Sequence, residues 1–331
     1  MKQNLNLAFY RNSLMIATEN KNLSVLIKNE ARDLGFDLCG IAQTKNLTEN
    51  GTILKSWCKA GMHDEMSYLE RDIEKRINPE LLFPGVKSLV VTGLNYFSEN
   101  MQKKSGVPVI SRYAYGFDYH NVIRSKLKKL LAFIKTIEQK TEGKAFIDSA
   151  PLLEKAWAKE AGLGWQGKHS IVINKEIGSF FFIGALLLNI DLEPDKPFSG
   201  DYCGSCRLCI DHCPTGAINN NRTIDARKCI ANLTVENRGP LPEKFIPRLG
   251  GRVYGCDRCQ EVCPWNKNAK QNKTTEFTLS YEIAEMDPDN WQALTKEQFV
   301  HLFKKSAMNR VKYEDFVRNI AAAFKSNNQQ L

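Results

Sequence analysis

Eight of the ten cysteines lie between residues 203 and 263, in two closely spaced groups with one position between them. The first group has the spacing C-x2-C-x2-C-x3-C-P, and the second has C-x2-C-x3-C-P. Two-residue gaps let a chain curl around a [4Fe–4S] cubane, and the N–H groups that the curl exposes can hydrogen-bond the cluster sulfurs. The spacing therefore predicts two [4Fe–4S] clusters that pass electrons.

In proteins with two such clusters, the fourth cysteine of a run ligates the other cluster. This rule predicts two ligand sets, which are Cys203, Cys206, Cys209 and Cys263 for one cluster and Cys213, Cys229, Cys256 and Cys259 for the other. Zinc is the alternative, since paired C-x2-C knuckles also bind it, although a triple run followed by C-P is poor zinc spacing. Cys39 and Cys58 have no C-x2-C partner and are interpreted as small buried hydrophobic residues.

The composition is that of an ordinary globular protein with a moderate basic excess. The 331 residues include 46 Lys and Arg against 37 Asp and Glu, a net charge of +9. Such an excess fits a polyanionic partner such as nucleic acid, but it is weak evidence alone. No export signal is visible at the N-terminus, and the longest apolar run, Phe180–Leu188, is too short to cross a bilayer. Because thiolates that hold oxygen-sensitive clusters favour a reducing compartment, we expect a cytoplasmic protein that does not contact a membrane.

Apolar periodicity predicts alternating helices and strands between residues 20 and 190, and hence a domain with a central sheet. Strands are predicted at Phe36–Ala42, Ser88–Tyr96, Ala145–Asp148, Ile171–Ile173 and Phe180–Leu188. Helices are predicted from Leu23 to Leu34 and at Ile53–Ala60, Val122–Ile137 and Leu152–Ala161, the last opened by Pro151 at its first position. The aromatic and polar segment Arg112–His120 is interpreted as a loop.

The C-terminal part is polar after Asn266 and is predicted to be helical from about Glu297. Its basic side chains fit either phosphate contact or a solvated helix face; they are Lys304, Lys305, Arg310, Lys312, Arg318 and Lys325. Pro194 and Pro197 mark a boundary before the cysteines. We therefore predict an α+β fold in three parts: an α/β-type domain at 1–195, a bacterial ferredoxin-like domain at 196–266, and a basic helical segment at 267–331.

Motifs in a fixed order along almost the whole chain resemble those of the epoxyqueuosine reductases. The matching stretches are Met66–Leu69, Pro84–Val86, Asn95–Tyr96, Arg112–Ala114, Gly116–His120, Asp148–Pro151 with Glu154, Gly164–Lys168, both cysteine groups, Leu233–Glu236, Ser306–Arg310 and Arg318–Asn319. Two positions depart from the family pattern, His169 where Asn is expected and Asn232 where an aromatic residue is expected. The chain also ends before the helical-repeat extension that many members carry could fit.

The resemblance implies a cobalamin-dependent iron–sulfur enzyme that completes the queuosine base of tRNA. Epoxyqueuosine at the wobble position of the anticodon stem-loop would be reduced by two electrons to queuosine, and the oxygen would leave as water. An external low-potential electron donor would charge the clusters, which feed the cobalamin. We expect the protein to act as a monomer.

Site residues follow from the same resemblance. Asp148 matches the acidic residue of the family's Asp-Ser-x-Pro motif and would donate a proton, while helix capping is the structural alternative. The expected cobalamin or substrate contacts are Tyr96, Arg112, Asp118, Tyr119, His120, Trp165, Gly167, Lys168, His169 and Ser170, although the aromatic ones could equally be packed core. His120 lacks the glycine of the corrinoid signature D-x-H-x-x-G, so we predict that no histidine ligates cobalt. Basic residues predicted to touch RNA are Lys304, Lys305, Arg310 and Lys312.

Three other classes of protein remain to be separated from this interpretation. A corrinoid reductive dehalogenase would share the cofactors. Such enzymes usually carry a twin-arginine export signal, and none is visible in this sequence. An electron carrier would not need the roughly 190 residues that precede the cysteines. A nucleic-acid-binding protein with a structural cluster would bind tRNA but would not turn it over.

Overall fold

A four-stranded antiparallel sheet lies at the centre of the computed structural model, which describes residues 21–328 of the chain. Its strands are β1 (Leu38–Gln43), β2 (Ser88–Asn95), β4 (Gly143–Phe146) and β7 (Phe181–Leu188), in the order β1-β2-β7-β4. The apolar runs predicted these strands within about two residues at each end. Since every pair is antiparallel, the fold is α+β rather than a parallel α/β sheet.

Two further pairs of short strands lie outside the central sheet. They are β3 (Val109–Ile110) with β8 (Arg252–Tyr254), and β5 (Trp165–Gln166) with β6 (Val172–Ile173). The helices are α1 at 21–33, α2 (Thr48–Lys59), α3 (Ile73–Ile77), α4 (Tyr119–Ile137), α5 (Glu154–Glu160), α6 (Leu208–Asp211), α7 (Ile230–Val235), α8 (Arg258–Glu261), α9 (Tyr281–Glu285), α10 (Pro288–Gln292), α11 (Lys296–Phe303) and α12 (Tyr313–Asn328). Single turns of 3-10 helix occur between them, including Arg112–Ala114 and Ala307–Arg310.

Both faces of the sheet are covered, which is why β2 is buried along its whole length. Helix α4 packs on one face through the predicted stripe of Ile123, Leu127, Leu130 and Ile134, all fully buried. Helix α5 covers the other face, where Trp157 is fully buried. Burial of a large apolar side chain contributes about 1.5–3 kcal/mol, so these contacts fix the helices that carry the site.

Helix α5 begins later than the sequence predicts. The predicted helix started at Leu152 with Pro151 in its first position, but α5 starts at Glu154 and Leu153 is its N-cap. Before it, Asp148 has φ +45°, and its N–H donates to the Glu154 carboxylate. This contact holds residues 148–153 as a loop, so Pro151 lies outside the helix and Asp148 does not cap it.

The C-terminal region is helical well before Glu297, contrary to the sequence prediction. Helices α9 and α10 are only five residues long, so they leave little apolar periodicity to read. Local signals do exist, because Asp287 with Asn290 and Thr295 with Gln298 form capping boxes at α10 and α11.

A second core joins this region to earlier parts of the chain. It combines residues of 107–115, of β8 and of α9 to α12, including Tyr115, Tyr254, Trp291, Phe303 and Phe316. The three-part division of the chain stays a prediction, but this core crosses both of its boundaries. Among residues 21–328, every helix falls short of the length or the apolar character that a bilayer-crossing helix needs. The expectation about an export signal concerns residues 1–20, which lie outside the described residues.

Candidate active site

A cavity of about 730 Å³ opens where the N-terminus of α4 meets the loop before α5 and the segment 304–310. Asp118, His120 and Asp148 lie on one side of it. Five basic residues also line it, namely Arg76, Arg124, Lys304, Lys305 and Arg310. A volume of this size suits one small-molecule group, and the positive charge favours an anionic ligand.

The carboxylate of Asp148 is the meeting point of two α4 side chains. Tyr119 donates its hydroxyl to Asp148 Oδ2 at 2.5 Å, and His120 Nε2 lies 3.2 Å from the same oxygen. About half of the Asp148 side chain, 49%, remains exposed to the cavity. The geometry therefore presents an acidic group to a ligand while two neighbours hold it in place.

The start of α4 positions these neighbours. Asp118 is the N-cap and accepts a hydrogen bond from the His120 N–H at 3.0 Å, and its side chain also contacts His120 Nδ1 at 2.7 Å. Tyr119 stacks on Phe182 of β7 with ring centroids 4.1 Å apart and planes 5° apart. The helix thus starts three residues before the predicted Val122, and that extra turn delivers both partners of Asp148.

The proton of this group resides on His120 rather than on Asp148. Burial raises the pKa of Asp148, but the hydrogen bonds from His120 and Tyr119 outweigh it and leave the pKa below its usual value. Burial lowers the pKa of His120, but its two carboxylate partners, Asp118 and Asp148, raise it to about 9. The direction of the Asp148 pKa shift is therefore decided by its hydrogen-bond partners on α4, not by burial.

Arg76 and Tyr68 are cavity residues that the sequence reasoning missed. Arg76 is 8% exposed, donates to the Tyr68 carbonyl at 2.9 Å, and has a buried Nε without a hydrogen-bond partner in the described part of the chain. Tyr68 lies in the Met66–Leu69 motif, to which no chemistry had been assigned. A short helix, α3, gives Arg76 no recognisable periodicity, so no sequence signal pointed to it.

The basic segment is fastened directly to the site. The Asp118 N–H donates to the Lys305 carbonyl at 2.7 Å, and the Ser306 hydroxyl donates to the Ala114 carbonyl at 3.0 Å. Lys304 and Lys305 are exposed at the cavity rim, and Arg310 pairs with Glu236 at 2.9 Å. Lys312, also predicted to touch RNA, is exposed but does not line this cavity.

Two other predicted contacts lie beside the second cysteine group instead. The Arg112 N–H donates to Asp257 Oδ2 at 2.8 Å, and its guanidinium lies 3.2 Å from Glu261. Tyr96 is buried, with its hydroxyl 3.4 Å from Gln260 Oε1. Both residues therefore join the sheet domain to the segment that carries Cys256 and Cys259. Tyr96 is packed in the core, which the sequence analysis gave as the alternative to a cofactor contact.

The loop 167–170 lies against the first cysteine group. Lys168 Nζ donates to the carbonyls of Gly204 at 2.6 Å and Cys206 at 2.8 Å. A Cβ on Gly167 would lie 2.9 Å from the His169 ring, so the loop's own packing requires glycine there. Ser170 has φ +65° and accepts from Gln166 Nε2 at 3.0 Å. Trp165 is buried and packs edge-on against Trp265 with ring centroids 4.9 Å apart.

His169 offers a buried donor to a bound group. Burial lowers the pKa of its ring to about 4, so the ring is neutral near pH 7. Its Nδ1 accepts from the Ile171 N–H at 3.2 Å, which leaves the proton on Nε2. That Nε2 is buried without a partner among residues 21–328. A buried N–H of this kind fits a ligand that carries carbonyl oxygens, such as the amide side chains of a corrin ring.

The cysteine thiols fall into two electrostatic neighbourhoods. Burial and then the thiols of Cys203, Cys209 and Cys206 raise the pKa of Cys263 to about 11. Burial raises the pKa of Cys259 well above its usual value, and so do the nearby thiols of Cys256, Cys229 and Cys213. These neighbours coincide with the two predicted ligand sets, which themselves stay a prediction. Of the other two cysteines, Cys58 is buried and Cys39 is partly buried, and both have free thiols.

Comparison with known proteins gives matches over most of the chain. The family "4Fe-4S double cluster binding domain" matches residues 202–266, and the family "Epoxyqueuosine reductase QueG, DUF1730" matches residues 76–149. An epoxyqueuosine reductase of Cyclobacterium marinum is 42% identical over 296 residues, which covers 89% of this chain and 94% of the relative.

Solved structures agree with the sequence matches. A crystal structure of an epoxyqueuosine reductase with an epoxyqueuosine-modified tRNA-Tyr stem loop superposes with a TM-score of 0.85 at 31% identity, covering 93% of this chain and 83% of that one. A Bacillus subtilis epoxyqueuosine reductase, described with its catalytic aspartate loop swung out of the active site, has a TM-score of 0.84 at 31% identity and the same coverage.

Proposed function

The chain belongs to the epoxyqueuosine reductase family, and from this we propose that it reduces epoxyqueuosine to queuosine in tRNA at the cavity that holds Asp148. It is an oxidoreductase that acts on tRNA in queuosine synthesis. The observation that carries the assignment is the 42% identity over 89% of the chain and 94% of the relative. The reaction takes up two electrons and two protons, converts the epoxide to an alkene and releases water.

The electrons would come through the two clusters of residues 202–266. A [4Fe–4S] cluster passes one electron at a time, so two clusters can deliver the pair in sequence. We propose an external low-potential protein as the donor. We also propose that the protein is monomeric and works in the cytoplasm, where a reducing environment protects cluster thiolates.

The loop 167–170 would hold cobalamin, the cofactor implied by the sequence resemblance. Its fit is supported by the unpartnered Nε2–H of His169, a donor suited to the amide carbonyls of a corrin. When bound, cobalamin supplies a low-potential metal centre that no side chain can replace.

The protein's own residues would manage the protons. Because its pKa is lowered, Asp148 is ionised near pH 7. The protonated ring of His120 lies 3.2 Å away and stores the proton that the reaction uses. We propose that Asp148 passes this proton to the epoxide oxygen as the first carbon–oxygen bond breaks. A second proton, taken up from solvent at the exposed side of Asp148, completes the water that leaves when the other carbon–oxygen bond breaks. Tyr119 keeps the carboxylate aimed at the cavity, and its own pKa is raised by burial and by Asp148, so it stays protonated.

The first experiment is anaerobic turnover. The protein is reconstituted with iron, sulfide and cobalamin, supplied with a strong reductant and tRNA that bears epoxyqueuosine, and the digested nucleosides are analysed. We expect queuosine only when cobalamin is present. Intact clusters and bound cobalamin without queuosine would contradict the proposal and favour a different electrophile, such as the organohalides of a dehalogenase.

Replacing Lys304, Lys305, Arg310 and Lys312 together with Gln is expected to weaken tRNA binding at least tenfold. These side chains would contact phosphates. Each lost contact should make the plot of log affinity against log salt concentration less steep, by about 0.7–0.9 in slope. Titration of tRNA at several salt concentrations measures both effects.

The matched control removes the same charge from exposed lysines of α4 and the turn after it, away from the cavity. Its substitutions are Lys128→Gln, Lys129→Gln, Lys135→Gln and Lys140→Gln. If both quadruple variants bound tRNA equally well at low salt, the basic segment would not be the RNA contact.

A further inference from the structure

Glu154 reaches back from the first residue of α5 to the loop that carries Asp148. Its carboxylate accepts the Asp148 backbone N–H, and this contact spans the whole six-residue loop. Glu154 is mostly removed from solvent, while its neighbour Lys155 on the same helix is exposed. Because α5 is fixed by Trp157 in the core, Glu154 is a rigid anchor for a loop that otherwise lies at the surface.

The loop needs such an anchor because Asp148 has an unfavourable backbone. Its φ of +45° lies in the left-handed region, which residues with a side chain avoid unless the surrounding structure holds them there. The backbone–backbone bonds of the loop are short-range turns, such as the one from the Leu152 N–H to the Ala150 carbonyl at 2.8 Å. Tyr119 and His120 hold the Asp148 side chain, not its backbone. Of the hydrogen bonds found within 21–328, the one to Glu154 holds the Asp148 backbone itself.

We propose that Glu154 is a positioning residue for the reaction, which holds the Asp148 backbone so that its carboxylate meets Tyr119 and His120 at the cavity. This inference rests on the proposed function, because it assigns Glu154 a role in delivering the proton through Asp148. Neither the capping of α5 nor the packing of its core face requires a carboxylate at this position, since Leu153 is the N-cap and the core face is apolar.

The charge of Glu154 would also limit the pH range. Burial, and then the Asp148 carboxylate, raise the pKa of Glu154 to about 8. The charged and titratable groups that face it are Asp148 from the loop, His120 and Tyr119 from α4, Arg76 from α3 and Lys155 from α5. Below pH 8 the neutral acid holds the N–H through its carbonyl oxygen. Above pH 8 the ionised form accepts the N–H more strongly, but its charge repels the Asp148 carboxylate, and this repulsion is the larger of the two effects.

Two substitutions separate the hydrogen bond from the charge. Glu154→Gln keeps an acceptor oxygen but cannot ionise, whereas Glu154→Ala removes the acceptor. We expect Glu154→Ala to lower kcat about 10–100-fold, with KM for tRNA changed less than about twofold, since a misplaced catalytic group costs rate rather than binding. Glu154→Gln is expected to retain most of kcat at pH 7 and to move the alkaline loss of activity from about pH 8 towards pH 9.

Glu160→Gln is the matched control on the same helix. Glu160 pairs with Lys45 at 2.6 Å and does not contact the loop, so this variant should keep the wild-type rate and pH profile. Iron content of all variants is measured first, to show that each one carries its clusters.

Hydrogen–deuterium exchange of the peptide covering residues 147–153 supplies a readout other than turnover. We expect faster exchange in Glu154→Ala and wild-type exchange in Glu154→Gln and Glu160→Gln. Wild-type turnover and exchange in Glu154→Ala would overturn the proposal, and so would equal losses of kcat in Glu154→Ala and Glu154→Gln with unchanged exchange. If the wild-type protein itself failed to convert epoxyqueuosine, the proposed function would fall, while the exchange result would still report on the anchor.

Discussion

Asp148→Asn is expected to reduce turnover of epoxyqueuosine tRNA about 10³-fold while leaving tRNA affinity within about twofold of wild type. The amide can still accept the Tyr119 hydroxyl, so the loop geometry should persist, but it can no longer carry a proton from His120 to the substrate. Single-turnover assays with fully reduced protein measure the rate, and tRNA titration measures binding. A variant that kept wild-type turnover would show that the proton comes from elsewhere, such as directly from His120.

The pH dependence of the same step identifies the stored proton. His120 has its pKa raised to about 9 by its carboxylate partners, so its protonated form is present below that pH and is lost as pH rises through it. Activity of Glu154→Gln, which lacks the earlier transition, should therefore fall near pH 9. Adding His120→Gln should remove that transition and lower the rate at pH 7 roughly 10²-fold. A transition near pH 9 that survived in the double variant would exclude His120 as its source.

Cys263→Ala is expected to remove the same cluster that Cys203→Ala removes, although the two residues lie in different cysteine groups. The reason is the pairing in which the last cysteine of each run serves the other cluster, and the shared electrostatic neighbourhood of Cys263 and Cys203 supports it. Each single variant should retain about four of about eight iron atoms. Iron analysis and the EPR spectrum of the reduced protein identify the cluster that remains.

Double variants make this prediction decisive. Cys203→Ala with Cys263→Ala should retain one cluster, whereas Cys259→Ala with Cys263→Ala should lose both. If ligands were instead used in chain order, Cys259 and Cys263 would serve one cluster, and their double variant would keep the other. Retention of about four iron atoms in that variant would contradict the crossed pairing.

The parts of this molecule that the sequence predicted are those that depend on patterns within a few adjacent residues. Cysteine spacing predicted the double-cluster domain, and apolar runs predicted the four strands of the sheet, because both signals occupy a few adjacent residues. The short helices α9 and α10 were missed because their apolar periodicity is too brief, although their caps were legible.

The chemistry of the site depended on contacts that are distant in the chain. Asp148 was identified by its motif, but its pKa depends on His120 and Tyr119, which lie 28 and 29 residues earlier. The resemblance predicted that Asp148 donates a proton, but the residues next to it in the sequence did not reveal the two partners that set its pKa. Arg76 was missed for a similar reason, since the cavity that it lines is formed by four separate segments of the chain.

The second core bears on how the protein matures. Most of its members come from the two ends that flank the cysteine segment, residues 107–115 and the helices α9 to α12, and the hydrogen bond from Ser306 to Ala114 joins residues 192 positions apart. Contacts so far apart in sequence form slowly, and during synthesis they must wait until the C-terminal helices have emerged. The cysteine segment lies between these two ends, so it would stay open to delivery of iron and sulfide until α12 docks. We therefore expect iron and sulfide to enter faster before α12 docks than after it.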